Sequence, residues 1–403
     1  MESKSKGSTK FFQQYYDDDF LKLFDEVGNS KILFIVGRNI DKTKFLVMTE
    51  DYKDNIPISE YIKVWSVDGT PSENMAEKIK RLDERHKIIY ALHKQNPNIP
   101  VRMNPFSPTN WTDFKILIRS MRFTWTYYIT TVNAFRGNRV FLVNYVDKEY
   151  PLFIYENRCL FDNPDKFKNV PLFEGCKDCN SQSIKDGCSE VKKWFEETFE
   201  GLLEKNERLP VFECSSRCSC FNSKDICKNR ISYLNRNKIP LVIFKTIDKG
   251  WAIGAGKDMK AGEIATEYAG IIMNDSTITR RTDITYIFDM DYKRSKFEHK
   301  YGPSFKKQNR YYVIDSKRVG NEPRFTNHSC DPNMDITVSY GVYKSPTIHK
   351  IFFSMNKDVP IGTELTVKYF YNTNDSPSSN AATCKCGSSN CMINIPVKYY
   401  GKN

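Results

Sequence analysis

The N-terminal part of the chain alternates apolar and polar residues over two short stretches. Residues 32–36 and 44–48 are rich in β-branched and aromatic side chains, and Gly37-Arg38-Asn39 lies between them. This alternation predicts two strands joined by a turn. Residues 1–20 are polar and show no clear periodicity, so we expect a disordered tail there.

A helical pattern follows the two strands. Apolar residues recur three and four positions apart between Met75 and Ile89, after Pro71-Ser72 and before Asn96-Pro97-Asn98. This spacing predicts one amphipathic helix. Its histidines, His86 and His93, have no Cys or acidic residue at ligand spacing, and we interpret them as ordinary helix residues.

The strands, the helix and the Pro- and Asn-rich stretch after it predict an α+β N-terminal region and linker over residues 21–110. A degenerate chromodomain is an alternative, although no aromatic-cage pattern supports it. Residues 116–155 are rich in Phe, Tyr, Thr and Val and contain the turn signal Arg136-Gly137-Asn138. They predict a β-rich segment over residues 111–158.

Length and charge narrow the class of protein. The 403 residues exceed one typical domain, and a hydrophobic content of 40% supplies enough apolar surface for packed cores. The N-terminus carries no secretory signal and no stretch reaches the roughly 18 apolar residues of a membrane helix, so we expect an intracellular protein without a membrane partner. The net charge of +12 favours polyanions such as nucleic acid, while a solvated lysine-rich surface is the alternative.

The sequence contains twelve cysteines, which bear on the choice of cofactor. Reducing compartments disfavour disulfides, so closely spaced cysteines there indicate zinc. The first cluster contains seven thiols, those of Cys176, Cys179, Cys188, Cys214, Cys218, Cys220 and Cys227. Two zinc ions sharing one sulfur need seven ligands, and three ions sharing three sulfurs need nine. Such a cluster is expected to be structural and to replace a hydrophobic core.

The first cluster resembles the pre-SET domain of the suppressor-of-variegation class of histone methyltransferases. The resemblance rests on residues 175–179, 212–220 and 227–230. That family has nine cysteines around three zinc ions, whereas Glu174 stands here in place of the first cysteine and only Cys188 remains of the middle pair. The resemblance therefore implies two or three zinc ions. Glu174 or Cys159 are candidate replacement ligands, and a free buried thiol is the other interpretation of Cys159.

Residues 240–391 resemble SET domains in the order of their motifs. Gly250-Trp251-Ala252 is similar to a cofactor-binding Gly-Trp-Gly, with Ala252 in place of the second glycine. Residues 324–333 resemble the segment that SET domains thread through a neighbouring loop as a pseudoknot, and residues 364–369 resemble the segment that completes the active site. The tail spacing C-x-C-x4-C at residues 384–391 matches a post-SET motif.

The resemblance implies a mainly β fold with short helices. It places a pre-SET zinc cluster at residues 159–235, a SET catalytic β-fold with a pseudoknot at 236–375, and a post-SET zinc motif and tail at 376–403, after the α+β N-terminal region. The implied activity is the transfer of a methyl group from S-adenosylmethionine to a lysine of the histone H3 tail, with lysine nine the family default, in nuclear chromatin. Nucleosomal DNA is expected to bind by non-specific electrostatics.

The same resemblance assigns roles to individual residues. The catalytic residues are Tyr369 and Tyr286. The cofactor-binding residues are Gly250, Trp251, Ala252, Tyr286, Asn327 and His328, and the substrate-binding residues are Asp289, Asp291 and Val367. One further zinc ion is expected at Cys330, Cys384, Cys386 and Cys391. An aromatic residue at the Val367 position governs the number of methyl groups in the family, so valine leaves more room.

Three other hypotheses stay beside the enzyme. A zinc-stabilised SET-fold chromatin adaptor without turnover is motivated by Ala252, Val367, Lys368 and the thinned cysteine cluster. A sequence-specific DNA-binding zinc protein lacks a basic recognition helix. A hydrolase built on His328 lacks a nucleophile elbow.

Overall fold

Strands outnumber helices in the part of the chain that the computed structural model describes. It describes residues 18–98, 140–146 and 153–395, with gaps at residues 23, 40, 50–61, 145, 178–186, 204–207, 223–226, 233–238, 279–284, 291, 293, 303–310, 370–381 and 393. The α-helices are α1 (Asp18–Leu21), α2 (Glu73–Gln95), α3 (Ser189–Thr198) and α4 (Arg294–Tyr301).

The strands are short, and they are numbered here in chain order. They are β1 (Ile32–Arg38), β2 (Lys44–Thr49), β3 (Ile62–Ser66), β4 (Val140–Val143), β5 (Ile154–Tyr155), β6 (Leu160–Phe161), β7 (Val211–Phe212), β8 (Leu241–Lys245), β9 (Trp251–Ala255), β10 (Ile264–Glu267), β11 (Ile271–Asn274), β12 (Ile287–Asp289), β13 (Tyr312–Asp315), β14 (Val319–Gly320), β15 (Asn327–His328), β16 (Met334–Tyr340), β17 (Lys350–Met355), β18 (Thr366–Val367), β19 (Ala382–Thr383) and β20 (Asn394–Ile395). The mainly β fold class is confirmed.

The chain divides into two compact units. The first unit contains residues 1–151, 240–258 and 359–364, and the second contains residues 152–239, 259–358 and 365–403. The domain boundaries expected from the sequence stay predictions. The expected N-terminal tail up to residue 17, most of the β-rich segment, Cys179 and Asp291 lie outside the described residues.

The first unit begins with the antiparallel sheet β1-β2-β3. The strand pair expected at residues 32–36 and 44–48 is confirmed as β1 and β2. Helix α2 follows, with Ser72 as its N-cap and Asn96 as its C-cap residue, as the sequence pattern predicts. His93 in α2 is buried, and this burial lowers its pKa to about 4, so the side chain is neutral at physiological pH.

The first unit also contains the sheet β4-β8-β9, in which β4 and β8 are parallel and β8 and β9 antiparallel. Helix α2 contributes Ile88 and Leu92 to a core with Val242 and Phe244 of this sheet. Gly362 lies so close to α2 that an added Cβ would be 2.4 Å from the carbonyl oxygen of Ala91. The backbone there, with φ +86°, therefore requires glycine.

The second unit contains two four-stranded sheets, with strand orders β10-β17-β16-β7 and β12-β13-β11-β6. Two-stranded pairs complete it: β14 with β5, β15 with β18, and β19 with β20. The pairs β14-β5 and β15-β18 are parallel, and each joins segments far apart in sequence. Parallel neighbours of this kind need long crossover connections.

An apolar core accompanies the cysteines of the second unit, contrary to the expectation that metal replaces such a core. Helix α3, inserted between Cys188 and Cys214, buries Val191 and Phe195. The Phe195 ring stacks on Phe199 with centroids 4.2 Å apart. Burial of the aromatic residues of this insertion contributes free energy in its own right.

Among the described residues, no helix is both long and apolar enough to cross a bilayer.

Candidate functional site

Two segments of the second unit meet at the parallel pair β15-β18. Asn327 pairs with Thr366 and His328 with Val367. The side chain of Asn333 extends the contact, because its Oδ1 accepts a hydrogen bond of 2.8 Å from the backbone N–H of Thr366. The motif at residues 324–333 is thus held against the segment that carries Tyr369.

Tyr369 is anchored at this junction by two hydrogen bonds. Its hydroxyl donates to the carbonyl oxygen of Thr326 at 2.7 Å, and its backbone N–H donates to Nδ1 of His328 at 3.1 Å. The side chain is 43% exposed. A phenol has one proton, and the Tyr369 hydroxyl uses it in the hydrogen bond to Thr326. The lone pairs of the Tyr369 oxygen are therefore the part that can contact a ligand.

The side chain of His328 is buried and engaged on both ring nitrogens. Nδ1 accepts from Tyr369, which leaves the proton of the neutral ring on Nε2, 3.4 Å from Sγ of Cys330. Burial lowers the pKa of His328, and the positive charge of Lys368 lowers it further. The ring therefore joins the Tyr369 segment to a thiol.

Tyr286 lies in the same unit, beside an arginine that is surrounded by aromatic rings. The Arg324 guanidinium carbon is 3.9 Å from the ring centroid of Tyr286, 4.1 Å from that of Phe153 and 4.7 Å from that of Phe325. Nε of Arg324 donates to the carbonyl oxygen of Ser316 at 2.8 Å. Cation–π contacts in a buried setting are each worth about 0.5–2 kcal/mol, so this arginine holds Tyr286 in place.

The arginine cage was not foreseen from the sequence. Arg324 belongs to the motif at residues 324–333, but nothing in the sequence connects it to Phe153. Burial is the first cause that lowers the pKa of Arg324, and the neighbouring Tyr286 opposes that lowering.

A second buried group, Glu322, lies two residues before Arg324. Its carboxylate accepts 2.7 Å hydrogen bonds from the hydroxyls of Tyr155 and Thr266. Burial raises the pKa of Glu322, and the two hydroxyl groups only partly offset this. The residue ties β5 and β10 to the motif.

Of the expected substrate residues, the structure describes Asp289 and Val367. Asp289 ends β12, whose partner is β13, and is half-buried. Val367 is 2% exposed. Its side chain therefore lies within the packed junction of β15 and β18.

The expected cofactor motif Gly250-Trp251-Ala252 belongs to the first unit. Gly250 has a φ of +75°, and open space surrounds the position where a Cβ would lie. The backbone there is accessible to a group that approaches closely. Ala252 is fully buried and packs in the core that contains Leu92 and Val242. Its methyl group therefore fills the core of this unit.

The described cysteines form two separate clusters, as the sequence predicts. The first, named here the Cys214 cluster, contains Cys176, Cys188, Cys214, Cys218, Cys220 and Cys227. The second, the Cys330 site, contains Cys330, Cys384, Cys386 and Cys391, whose sulfur atoms lie within 4.8 Å of one another. The Cys330 and Cys384 sulfurs are 3.9 Å apart. A tetrahedral zinc with Zn–S bonds of about 2.3 Å requires edges of about 3.8 Å, so these thiols fit zinc.

The two candidate replacement ligands lie elsewhere. Cys159 is half-buried, and its thiol contacts the carbonyl oxygen of Tyr268 at 3.6 Å. Glu174 is exposed, and neither residue belongs to a described group of metal-ligating atoms. Both interpretations of Cys159 stay predictions.

Comparison with known proteins relates this geometry to a family. A model described as the Pre-SET motif matches residues 133–230, and one described as the SET domain matches residues 250–370. Together they cover more than half of the chain.

Three curated relatives align with the same region. Histone-lysine N-methyltransferase Su(var)3-9 of Drosophila melanogaster is 30% identical over 62% of this chain and 42% of its own length. The H3 lysine-9 specific KMT1 of Fusarium mangiferae is 33% identical over 47% of this chain and 58% of its own. The H3 lysine-9 specific dim-5 of Neurospora crassa is 28% identical over 64% of this chain and 90% of its own. The chain thus spans less than two thirds of the first two relatives and most of the third.

Proposed function

The chain belongs to the SET-domain family, and from this premise we propose that it is a lysine methyltransferase that transfers a methyl group from S-adenosylmethionine to histone H3. The observation that carries the proposal is the anchoring of Tyr369 at the junction of β15 and β18. There its hydroxyl donates a hydrogen bond to the carbonyl oxygen of Thr326. The relatives named histone-lysine N-methyltransferases support the reaction class.

Each group in the reaction has a chemical requirement. When bound, S-adenosylmethionine supplies a methyl group on a sulfonium, and the C–S bond electrons return to sulfur as the lysine nitrogen forms the new C–N bond. The lysine must first lose a proton, because its ordinary pKa is near 10.4 and only the neutral amine has a lone pair. The chain's own residues therefore have to desolvate and orient that amine.

Tyr369 and Tyr286 suit this task. The Tyr369 hydroxyl donates to Thr326, so its lone pairs accept a hydrogen bond from the lysine N–H and direct the nitrogen lone pair away from the phenol. The partly exposed side of Tyr369 gives the departing proton access to water. Tyr286, held by Arg324, contributes an aromatic face that accommodates the methylammonium product.

The residues assigned to the cofactor fit a bound group at two places. The open space beside Gly250 allows close approach to the backbone of the first unit. In the second unit, the backbone of Asn327 and His328 is held by β18. The nitrogens of the His328 ring already have partners, so we assign cofactor contact to its main chain.

The proposed substrate is narrower than the reaction class of the family. We infer that the half-buried Asp289 faces the basic H3 tail, because carboxylates pair with Lys and Arg, and the role of Asp291 stays a prediction from the sequence. Lysine nine is the proposed target, by analogy with the names of two relatives. The net charge of +12 supports non-specific contact with nucleosomal DNA, and we propose nuclear chromatin as the location.

The experiment compares Tyr369→Phe with wild type, using labelled S-adenosylmethionine and H3 peptides. We expect the rate of transfer to fall about 100-fold, because one hydrogen bond to the reacting nitrogen is lost. Tyr90→Phe is the matched control, since Tyr90 is 44% exposed and Tyr369 43%. It should leave the rate unchanged.

H3 peptides in which arginine replaces lysine nine test the target lysine, and mass spectrometry of the product reports it. No transfer by the folded, zinc-loaded wild-type chain to any histone would exclude the enzyme in favour of the adaptor. One motive for the adaptor is already weaker, since Ala252 packs in a hydrophobic core.

A further inference from the structure

Helix α4 follows the strand that carries the proposed substrate residue Asp289. Strand β12 ends at Asp289, and the chain continues through Tyr292 into α4. Tyr292 comes three positions after Asp289, and three residues of chain span at most about 11 Å. Any element that holds Tyr292 therefore limits where Asp289 can lie. Residues 287–302 are named here the β12–α4 segment.

The β12–α4 segment packs against helix α3, which lies between Cys188 and Cys214 in the sequence. Tyr292 is half-buried against the core to which Phe195 and Phe199 belong. The Tyr292 ring centroid is 5.8 Å from that of Phe199 and 6.4 Å from that of Phe195, within the range of favourable aromatic pairs. Residues 189–203, named here the α3 insertion, therefore make an apolar contact with the β12–α4 segment.

Two lysines of α4 make a second, polar contact with the α3 insertion. Nζ of Lys296 donates to the carbonyl oxygen of Leu202 at 3.2 Å, and Nζ of Lys300 donates to the carbonyl oxygen of Glu200. The two lysines are four positions apart and therefore lie on the same face of α4. Lys300 also lies over Gly201, where an added Cβ would be 4.0 Å from its Nζ.

The position of these lysines has an electrostatic reason. Carbonyl oxygens at the C-terminal end of a helix lack partners within the helix and carry partial negative charge. The last turn of α3 contains no basic residue. Lys296 and Lys300 therefore bring to this end of α3 the positive charge that its own sequence does not supply. Hydrogen bonds from an ammonium group are stronger than those between neutral groups, so these contacts oppose movement of α4 away from α3.

We propose that Lys296 and Lys300 are positioning residues for the histone substrate. By holding α4 against the α3 insertion, they set the position of Asp289 relative to the H3 tail. The inference rests on the proposed function, and it gives the α3 insertion a part in peptide recognition. Because the two lysines act through Asp289 and not on the reacting atoms, their loss should weaken peptide binding and leave the chemical step intact.

Steady-state kinetics with an H3 tail peptide and S-adenosylmethionine test this split. In the double variant Lys296→Met with Lys300→Met, we expect the KM for the peptide to rise about 10-fold, the size of one lost hydrogen bond to a charged group. The kcat and the KM for S-adenosylmethionine should stay within about 2-fold of wild type. Loss of two positive charges would by itself favour a basic peptide, so a higher KM reports a displaced binding surface.

Two further variants serve as controls. Lys192→Met with Lys193→Met removes the same charge from α3 itself and should not raise the KM for the peptide. Lys296→Arg with Lys300→Arg keeps a cationic donor at both positions and should keep that KM within about 3-fold of wild type. A peptide KM within about 2-fold of wild type in the folded double methionine variant would overturn the proposal. An equal rise in the Lys192 and Lys193 variant would do the same.

Hydrogen exchange of the free chain tests the contact without turnover. In the double methionine variant we expect the amides of α4 to exchange at least about 10-fold faster than in wild type, while those of the sheet β1-β2-β3 keep their rates. Unchanged exchange in α4 would overturn the proposal. If the double variant does not fold, Lys300→Met alone serves for both measurements, because Lys300 is exposed, and changes of about 3-fold are expected.

The two measurements separate a failure of this inference from a failure of the proposed function. Absence of methyl transfer by the wild-type chain would refute the proposed function, and hydrogen exchange would then still decide whether the lysines hold α4. An active chain whose peptide KM does not respond to the loss of both lysines would refute the inference and leave the proposed function standing.

Discussion

A buried ion pair in the second unit gives a quantitative test of the packing. Glu213 is 3% exposed and accepts hydrogen bonds from Nζ of Lys350 at 3.2 Å and from the hydroxyl of Ser339 at 3.0 Å. Ser232 donates to it from both its hydroxyl and its backbone N–H. Burial alone would raise the pKa of Glu213, but the charge of Lys350 and the bonds from Ser232 outweigh it, and the pKa is lowered.

The perturbation is Lys350→Met, which removes the cation and leaves the carboxylate buried. Loss of one partner of a buried pair costs about 3–5 kcal/mol. We expect the free energy of unfolding to fall by about 3 kcal/mol, at the low end, because the Lys350 side chain is 32% exposed and water can reach the vacated position.

The double variant Glu213→Gln with Lys350→Met carries no buried charge. We expect it to be more stable than Lys350→Met alone, with a coupling energy of about 1–3 kcal/mol between the two changes. Urea unfolding of the zinc-loaded chain measures the four free energies of the cycle. If Lys350→Met lies within about 0.5 kcal/mol of wild type, or if the two changes are additive, the pair does not stabilise the fold as described.

Three further predictions concern the proposed active site and its surroundings. Val367→Phe adds volume at a position that is 2% exposed, and mass spectrometry of H3 peptides should show fewer methyl groups per lysine; unchanged products would contradict this. Glu322→Gln removes a carboxyl whose pKa is raised in the folded chain. The free energy of unfolding of the wild-type chain should therefore fall relative to that of the variant as the pH rises above 4.5. Urea unfolding at several pH values measures this, and a difference that does not change with pH would refute the prediction. Cys386→Ser breaks the Cys330 site and should lower the methyl-transfer rate at least about 10-fold, whereas an unaffected rate would separate that metal from catalysis.

Local sequence patterns predicted the local elements correctly. The strands β1 and β2 follow from alternation, and α2 follows from helical spacing and from the residues that end it. These signals are contained within short windows of the chain, so no tertiary information was needed.

The contacts that form the candidate site join residues that lie far apart in the sequence. Phe153 reaches Arg324, and Tyr155 reaches Glu322, across separations for which the sequence carries no periodic signal. Ala252 has a packing role that the sequence did not suggest. In the sequence it departs from the Gly-Trp-Gly motif, and in the fold its methyl group packs in a core beneath α2.

The parallel pairing of β15 with β18 has a consequence for the order of events during protein synthesis. His328 is made 41 residues before Tyr369, and Cys330 is made 54 residues before Cys384. The emerging polypeptide therefore exposes its central motif without the segments that close around it, and long-range contacts of this kind form slowly. We expect a nascent chain released before residue 366 to depend on chaperones. In such a chain β15 lacks its partner strand and Cys330 lacks the other thiols of its site, so an unpaired strand edge and an uncoordinated thiol are exposed.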